Sequence, residues 1–205
     1  MDYYSFSQTL KRNKLPLFSL RDLENLFPEE KAKTLKNNLN RWTNSGRITR
    51  LKRNLYEITE LCEDLEIPDL YIANRLYLPS YVSLETALSF YSIIPGVAVN
   101  VTSVTTRPTR LFKNKYGQFI YRTCQKRAFI GYRLVRYEGV KIYMADKEKA
   151  LVDFLYYRLR SNRYFDLKQE RLNERILKDL NWNKVLKYAR LFNKKVVKIV
   201  KDIRC

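Results

Sequence analysis

Residues 18–58 read FSLRDLENLFPEEKAKTLKNNLNRWTNSGRITRLKRNLYEI, and this stretch decides the fold of the first part of the chain. Ser19 suits the N-cap of a short helix with leucines at helical spacing. Pro28 suits the first position of a second helix, because the missing N–H costs no hydrogen bond there. Gly46 suits the left-handed residue that ends this helix after about four turns. The pattern predicts two consecutive helices, followed by a short basic hairpin.

The second of these helices has two chemically different faces. Ala32, Leu35, Leu39 and Trp42 recur at helical spacing and form one apolar stripe. The opposite side and its margin carry Lys33, Lys36, Asn37, Asn40, Arg41 and Asn44. Such side chains hydrogen-bond to phosphate oxygens and base edges in a DNA groove. An isolated basic face is more often simply solvated, so the interpretation depends on the hairpin that follows.

The hairpin brings a second group of cations. Residues 47–51 read as a strand, residues 52–54 as a turn and residues 55–58 as the return strand, and Asn54 tolerates a positive φ. Its cations are Arg47, Arg50, Lys52 and Arg53. An earlier helix carrying Tyr3, Phe6 and Leu10 would complete the core. We therefore predict a DNA-binding winged helix-turn-helix over residues 1–60, in which cations hold phosphates and asparagines read bases.

The composition agrees with a polyanionic partner. Among 205 residues, 40 are Lys or Arg and 21 are Asp or Glu, which gives a formal charge of +19. Residues 81–205 contain 27 of these cations and 10 of the acids, so the second half is the more basic. An apolar content of 45% suffices for packed cores.

The cysteines and the apolar runs indicate the cellular compartment of the protein. Three widely spaced cysteines and no histidine predict neither a disulfide framework nor a zinc site, and they favour a reducing cytoplasm. No apolar run approaches the length of a membrane span, and residues 1–5 lack the layout of a signal peptide. We expect a cytoplasmic protein without a membrane partner.

The acidic residues 60–68 predict the domain boundary, with a linker at 61–70 and a second domain over residues 71–205. Ser83 can cap a helix, and Asp146 can cap another. Strand patterns occupy the segments 97–101, 102–106, 119–121, 128–135 and 140–144. From Asn183 onward the pattern predicts two helices that break near Asn193. The second domain is therefore predicted to be α+β with a helical tail.

Four segments of this second domain resemble the AbiEi family. They are YVSLETALSFY at 81–91, VTTRPTR at 104–110, GQFIY at 117–121 and ADKEKALVD at 145–153. Family members are antitoxins of bacterial abortive-infection toxin–antitoxin systems, and they also begin with a winged helix. The hairpin of that winged helix closes on a motif resembling Arg53-Asn54-Leu55-Tyr56. Asn54 stands where the family usually has glycine.

The resemblance implies two activities. The N-terminal domain would bind inverted repeats in its own promoter and repress the operon, and the C-terminal domain would counteract a nucleotidyltransferase-like toxin. Tight contact with the toxin is not implied, and no cofactor is expected. The polar residues inside the motifs are a candidate antitoxin surface or else structural: Arg107, Thr109, Arg110, Lys147 and Lys149. Cations in a first helical turn are electrostatically unfavourable, which points to anion contact.

Three alternatives share parts of this pattern. The first is a stand-alone winged-helix regulator without a toxin, and the second is an RNA-binding protein, which competition between duplex DNA and structured RNA would distinguish. The third is a nuclease built on Asp146, Glu148 and Asp153, of which only Asp146 and Asp153 share a helix face. Because the chain has no histidine and no glycine-rich phosphate loop, we predict that it is not an enzyme.

Overall fold

The computed structural model describes residues 1–59, 67–96, 98–161 and 170–204. It confirms the α+β class, with 47% helix and 23% strand. The chain divides into two compact units, Met1–Leu76 and Tyr77–Cys205. Residues 60–66 of the predicted boundary lie outside the described residues. The helix that follows them belongs to the first unit, so the second unit begins six residues later than the sequence predicted.

The first unit combines four helices with a small sheet in the part that the structure describes. The order is α1 (Tyr3–Arg12), β1 (Leu17–Phe18), α2 (Leu20–Leu26), α3 (Ala32–Asn44), β2 (Ile48–Lys52), β3 (Leu55–Ile58) and α4 (Asp69–Leu76). The strands are antiparallel in the order β1-β3-β2. Ser19 and Asp22 form a reciprocal capping box that begins α2, as the N-cap prediction for Ser19 requires.

The core of the first unit is rich in aromatic rings. Trp42 of α3 is 2% exposed, and its ring centroid lies 4.4 Å from that of Phe6 on α1. The other members of the core come from all three first helices and the sheet: Leu10, Phe18, Leu23, Phe27, Leu35, Leu39, Ile48 and Ile58. Leu35, Leu39 and Trp42 of the predicted stripe therefore face inward, but its first member Ala32 is exposed. The opposite face of the helix is also exposed to solvent.

Helix α3 begins at Ala32 and not at Pro28, which corrects the sequence prediction. The N–H of Glu30 donates to the carbonyl of Phe27 at 3.0 Å, so the residues after Phe27 form a turn. The carboxylate of Glu30 accepts a hydrogen bond from the amino group of Met1 at 2.7 Å. The turn thus uses Glu30 for these contacts and stays outside the helix, although proline and two acids suit a helix start.

The second unit contains a six-stranded mixed sheet within the described residues. Its elements are β4 (Ser80–Val82), α5 (Leu84–Phe90), β5 (Val101–Thr105), β6 (Arg110–Asn114), β7 (Gly117–Thr123), β8 (Tyr132–Tyr137), β9 (Val140–Ala145), α6 (Lys147–Ser161), α7 (Glu174–Lys178), α8 (Trp182–Ala189) and α9 (Lys194–Arg204). The strand order is β6-β7-β5-β4-β9-β8. Strand β5 pairs in parallel with β7, and β4 pairs in parallel with β9. Helix α6 packs against α5, α8 and α9.

Several predicted boundaries in this unit are wrong. The strand predicted at 97–101 begins only at Val101, where it continues as β5, and Val99 is 95% exposed. Val97 lies outside the described residues. A 3₁₀ turn at Lys126–Ala128 replaces the start of the strand predicted at 128–135. Strands β4 and β6 were not predicted, whereas the two tail helices α8 and α9 agree with the predicted break near Asn193.

A buried polar network lies between α6 and the sheet. The ammonium of Lys149 pairs with the carboxylate of Asp153 one turn later, and both side chains are fully buried. Asp153 also accepts hydrogen bonds from Tyr81 Oη at 3.0 Å and Ser83 Oγ at 2.9 Å. Ser83 occupies the N-cap position of α5, as predicted, but its hydroxyl donates to Asp153 and makes no capping hydrogen bond to the helix. Three donors satisfy the buried carboxylate, as its burial requires.

Candidate nucleic-acid interface

The exposed side of α3 carries every polar residue predicted for it. Lys33, Lys36, Asn37, Asn40, Arg41 and Asn44 are all exposed. The buried side chains of Leu35, Leu39 and Trp42 fix the rotation of the helix, so this polar face has one orientation relative to the unit. Arg41 donates to Asn38 Oδ1 at 3.1 Å, and its guanidinium lies 5.8 Å from the centroid of the Trp42 ring.

A Schellman motif joins α3 to the hairpin. Gly46 has φ +73°, and its N–H donates to the carbonyl of Thr43 at 3.1 Å. The N–H of Arg47 donates to the carbonyl of Trp42 at 3.0 Å. These two bonds define the motif and turn the chain directly from the helix into β2. The guanidinium of Arg47 lies 4.9 Å from the centroid of Tyr3, which positions it beside the end of α3.

The hairpin turn lies at Arg53 and Asn54. Asn54 has φ +65°, and the strands change register between Arg50 and Lys52. Arg50 Nε donates to the carbonyl of Lys52 at 3.3 Å. Arg47, Arg50 and Arg53 are exposed, whereas Lys52 is half-buried. The hairpin therefore presents three exposed guanidinium groups, one fewer cation than the sequence predicted.

The exposed cations of α3 and the hairpin have no acidic partner among the described residues. Within the described residues, Lys33, Lys36, Arg41, Arg47, Arg50 and Arg53 form no ion pair. Like charges that are close together repel, and phosphate anions relieve this repulsion. Chemically, α3 and the hairpin can therefore bind a polyanion, and the amides on α3 can in addition form directional hydrogen bonds with bases.

Sequence reasoning missed two contacts that support this surface. Tyr3 Oη donates to the carbonyl of Arg47 at 3.1 Å, which ties α1 to the start of the hairpin. Arg75 of α4 pairs with Asp22 of α2 at 2.8 Å. Both pairs are far apart along the chain, so no local pattern reveals them. The paired acid Asp22 is, however, visible in the sequence as the third residue of the α2 capping box.

The candidate antitoxin residues do not form one surface. Arg107 donates to the carbonyl of Leu78 at 3.1 Å, and the hydroxyl of Thr109 accepts from the N–H of Thr123 at 3.2 Å. With the exposed Arg110 they lie beside strand β6, whereas the exposed Lys147 follows β9. Three strands separate β6 from β9, so these two strands lie about 19 Å apart in the sheet.

Lys149 has to be removed from the predicted antitoxin surface. Its side chain is fully buried against Asp153, and its ammonium lies 5.6 Å from the centroid of Tyr81 and 5.0 Å from that of Phe192. The position in the first turn of α6 is electrostatically poor for a cation, as noted from the sequence. The structure accounts for it through the internal carboxylate, without an external anion.

The three carboxylates of the nuclease alternative are each engaged by the protein. Asp146 caps α6, since its Oδ1 accepts from the N–H of Lys149 at 2.8 Å, and its Oδ2 accepts from Tyr188 Oη at 2.9 Å. Lys184 contacts both Asp146, at 2.9 Å, and Glu148, at 3.2 Å. Partial burial alone would raise the pKa of Glu148, but backbone N–H groups and the Lys184 ammonium lower it. Burial and the hydrogen bond to Asp146 raise the pKa of Tyr188 to about 12.

In the part of the chain that the structure describes, no group of three or more acidic, cysteine or histidine side chains is arranged to hold a metal ion. Over the same residues, no helix is both long and apolar enough to cross a membrane. Comparison of the chain with protein-family profiles and with curated protein sequences finds no match.

Proposed function

We propose that Met1–Leu76 is a winged helix-turn-helix that binds double-stranded DNA. In this proposal α3 lies in the major groove and the β2–β3 hairpin is the wing beside it. The observation that carries the proposal is the combination of an exposed amide-rich and basic face on α3 with exposed arginines on the adjoining hairpin. Because Trp42 is buried and the Schellman motif fixes the helix end, both elements have defined orientations within one compact unit.

The chemistry of the residues suggests separate roles. Lys33, Lys36 and Arg41 on α3, with Arg47, Arg50, Lys52 and Arg53 on the hairpin, would hold phosphate oxygens. Asn37, Asn40 and Asn44 would hydrogen-bond to base edges, and an asparagine amide pairs well with adenine. Binding to an inverted repeat would place two copies of the chain on neighbouring half-sites.

We further propose that this chain is an autoregulated antitoxin that acts in the cytoplasm. The support is the resemblance of residues 81–91, 104–110, 117–121 and 145–153 to the AbiEi family. The second unit would oppose a nucleotidyltransferase-like toxin, and exposed Arg107, Thr109, Arg110 and Lys147 are its candidate contacts. A stand-alone regulator is the second candidate, because every residue of the proposed DNA-binding surface lies in the first unit.

Fluorescence anisotropy tests the DNA-binding proposal on the full chain. The probes are the DNA upstream of its own gene, a scrambled duplex of equal length and a structured RNA, all at about 0.15 M salt. We expect the upstream DNA to bind at least about 100-fold more tightly than the scrambled duplex. Equal affinity for the two duplexes, or tighter binding of the RNA, would remove the operator-binding proposal.

Coexpression tests the antitoxin proposal separately. The gene that neighbours this one is expressed alone and together with the full chain, and growth is measured. We expect the neighbouring gene to arrest growth and the full chain to restore it. Growth arrest that the chain does not relieve, or no arrest at all, would leave the stand-alone regulator as the better description.

A further inference from the structure

A cavity of about 650 Å³ lies in the second unit, beside the middle of the sheet. One wall is formed by strand residues such as Thr102 and Ile120, and another by residues of α6 such as Phe154 and Tyr157. Leu84 at the start of α5 adds to the apolar lining. The volume falls in the range of pockets that hold small molecules, which is about 300–1,000 Å³.

Positive charge dominates the lining of this cavity. Arg122, Arg158 and Arg160 line it, and among its described lining residues Glu85 is the one acid. Arg158 is already engaged, because it contacts Glu85 at 3.7 Å and Glu170 at 3.4 Å. The side chains of Arg122 and Arg160 make no hydrogen bond and no ion pair within the described residues. Two guanidinium groups are therefore available to a ligand.

These two arginines reach the cavity from two different elements, strand β7 and helix α6, which a hydrogen bond joins. Tyr157 Oη donates to the carbonyl of Thr123 at 2.6 Å, which fixes α6 against the end of β7. Arg122 directly precedes Thr123 on the strand. Arg160 follows Tyr157 by three residues and so lies on the same side of the helix. Two like charges beside a cavity repel each other. A bound anion offsets this repulsion and accepts charge-assisted hydrogen bonds from both guanidinium groups.

We propose that this cavity binds a small phosphorylated ligand of nucleotide size. Arg122 and Arg160 hold its phosphate oxygens, since guanidinium groups match phosphate geometry bidentately. The apolar wall formed by Leu84, Ile120 and Phe154 contacts the remainder of the ligand. The site lies entirely in the second unit and shares no residue with α3 or the hairpin, so it goes beyond the proposed DNA binding.

Isothermal titration calorimetry on the full chain tests this proposal with three probes: ATP, inorganic pyrophosphate and adenosine. At about 0.15 M salt we expect saturable binding of ATP and pyrophosphate, and adenosine at least about tenfold weaker than ATP. The double variant Arg122→Gln/Arg160→Gln should weaken ATP binding by at least about tenfold. The matched control Arg136→Gln/Lys141→Gln removes two exposed charges from the β8–β9 hairpin, away from the cavity lining, and should leave ATP binding unchanged.

A second variant, which should bind ATP more tightly, tests the proposal even if the double variant folds poorly. Glu85→Gln removes the one acid from the described lining, while Arg158 keeps its contact with Glu170. Because less negative charge then faces the bound phosphates, this variant should tighten ATP binding several-fold. Absence of saturable ATP and pyrophosphate binding to the unmodified chain would overturn the proposal, as would equal weakening by the control variant. A single-stranded oligonucleotide that displaces ATP and depends on the same arginines would also overturn it, by assigning the cavity to nucleic acid. Affinity for the upstream DNA should not change in the double variant, which separates this proposal from the proposed function.

Discussion

The side chain of Asn54 accepts a hydrogen bond from the backbone N–H of Leu20, with 3.1 Å between Oδ1 and N, across 34 positions of the chain. Leu20 is the first residue of α2, where backbone N–H groups have no partner within the helix. The turn residue of the hairpin thus closes the start of another helix. Its φ of +65° is one that asparagine tolerates better than most side chains. Glycine would permit the same backbone but could not make this bond.

Substitution of Asn54 should separate its two contributions. Asn54→Gly keeps the backbone conformation and loses the hydrogen bond. We therefore expect the free energy of unfolding of the first unit to fall by about 1 kcal/mol. Asn54→Ala loses the bond and adds left-handed strain, for a total of roughly 2–3 kcal/mol. Urea unfolding followed by Trp42 fluorescence, in a Trp182→Phe background, measures both. Equal losses in the two variants would show that the backbone strain is negligible.

The proposed interface predicts that a wing arginine and a helix asparagine act differently on DNA. Arg53→Ala should weaken binding to operator and scrambled duplex alike. It should also reduce the slope of the logarithm of the binding constant against the logarithm of the salt concentration by about one. Asn40→Ala should mainly reduce the preference for the operator, by ~1–3 kcal/mol at one base pair. Anisotropy titrations at several salt concentrations measure both effects.

Arg12→Ala is the control for these two variants, since it removes an exposed cation from the last turn of α1, outside both proposed DNA-binding elements. We expect it to change neither the slope nor the preference by a comparable amount. If Arg53→Ala and Asn40→Ala reduced the salt dependence and the operator preference by the same amounts, the proposed division of roles would be contradicted.

Periodicity predicted the parts of the fold in which local pattern and tertiary packing agree. Leu35, Leu39 and Trp42 of the α3 stripe are buried as the helical spacing requires, whereas Ala32 at the first position of the helix is exposed, contrary to the prediction. The start of α3 was not predicted: the residues after Phe27 form a turn, and Glu30 contacts Met1, a residue 29 positions away that no local pattern connects with it. Strand β1 is only two residues long and therefore leaves no periodic signal.

Lys149 in the second unit is a further case in which local pattern could not predict the structure. A lysine such as Lys149 is almost never fully buried without a partner, so the sequence favours an exposed position. The partner Asp153 lies one turn away, yet the same spacing is typical of exposed ion pairs on helix surfaces. Which face of α6 meets the sheet depends on Tyr81 and Ser83, and these are brought there by strand pairing that no local pattern specifies.

The buried Lys149–Asp153 pair should be costly to break from one side. Lys149→Met leaves a buried carboxylate without its cation, and we expect a loss of roughly 3–5 kcal/mol in the free energy of unfolding of unit 2. Lys149→Met/Asp153→Asn should recover a large part of this loss, because a neutral amide oxygen still accepts from Tyr81 and Ser83. Urea unfolding followed by circular dichroism gives both values. Additive losses in the double variant would show that the two residues are not coupled.

Gly131 should be intolerant of a side chain for reasons of both conformation and space. Its φ is +77°, and a Cβ there would lie 2.7 Å from Cζ of Tyr188. We expect Gly131→Ala to reduce the free energy of unfolding by ~2–4 kcal/mol, from left-handed strain and overpacking together. Gly139→Ala is the matched control, since Gly139 has φ +79° and no atom within 4 Å of the added Cβ. A loss in Gly139→Ala as large as that in Gly131→Ala would exclude the steric explanation.

Cys124 should react slowly with thiol reagents while the protein is folded. The side chain is 6% exposed, and burial together with the nearby negative charge of Asp153 raises the pKa of its thiol to about 11. Since the thiolate is the reacting species, a rise of about two units lowers its fraction roughly 100-fold at neutral pH. In a Cys62→Ser/Cys205→Ser background, modification by a chromogenic disulfide near pH 8 should therefore follow unfolding and accelerate with urea. Complete modification of the native chain at the rate of a free cysteine would mean that this side of the buried network is open to solvent.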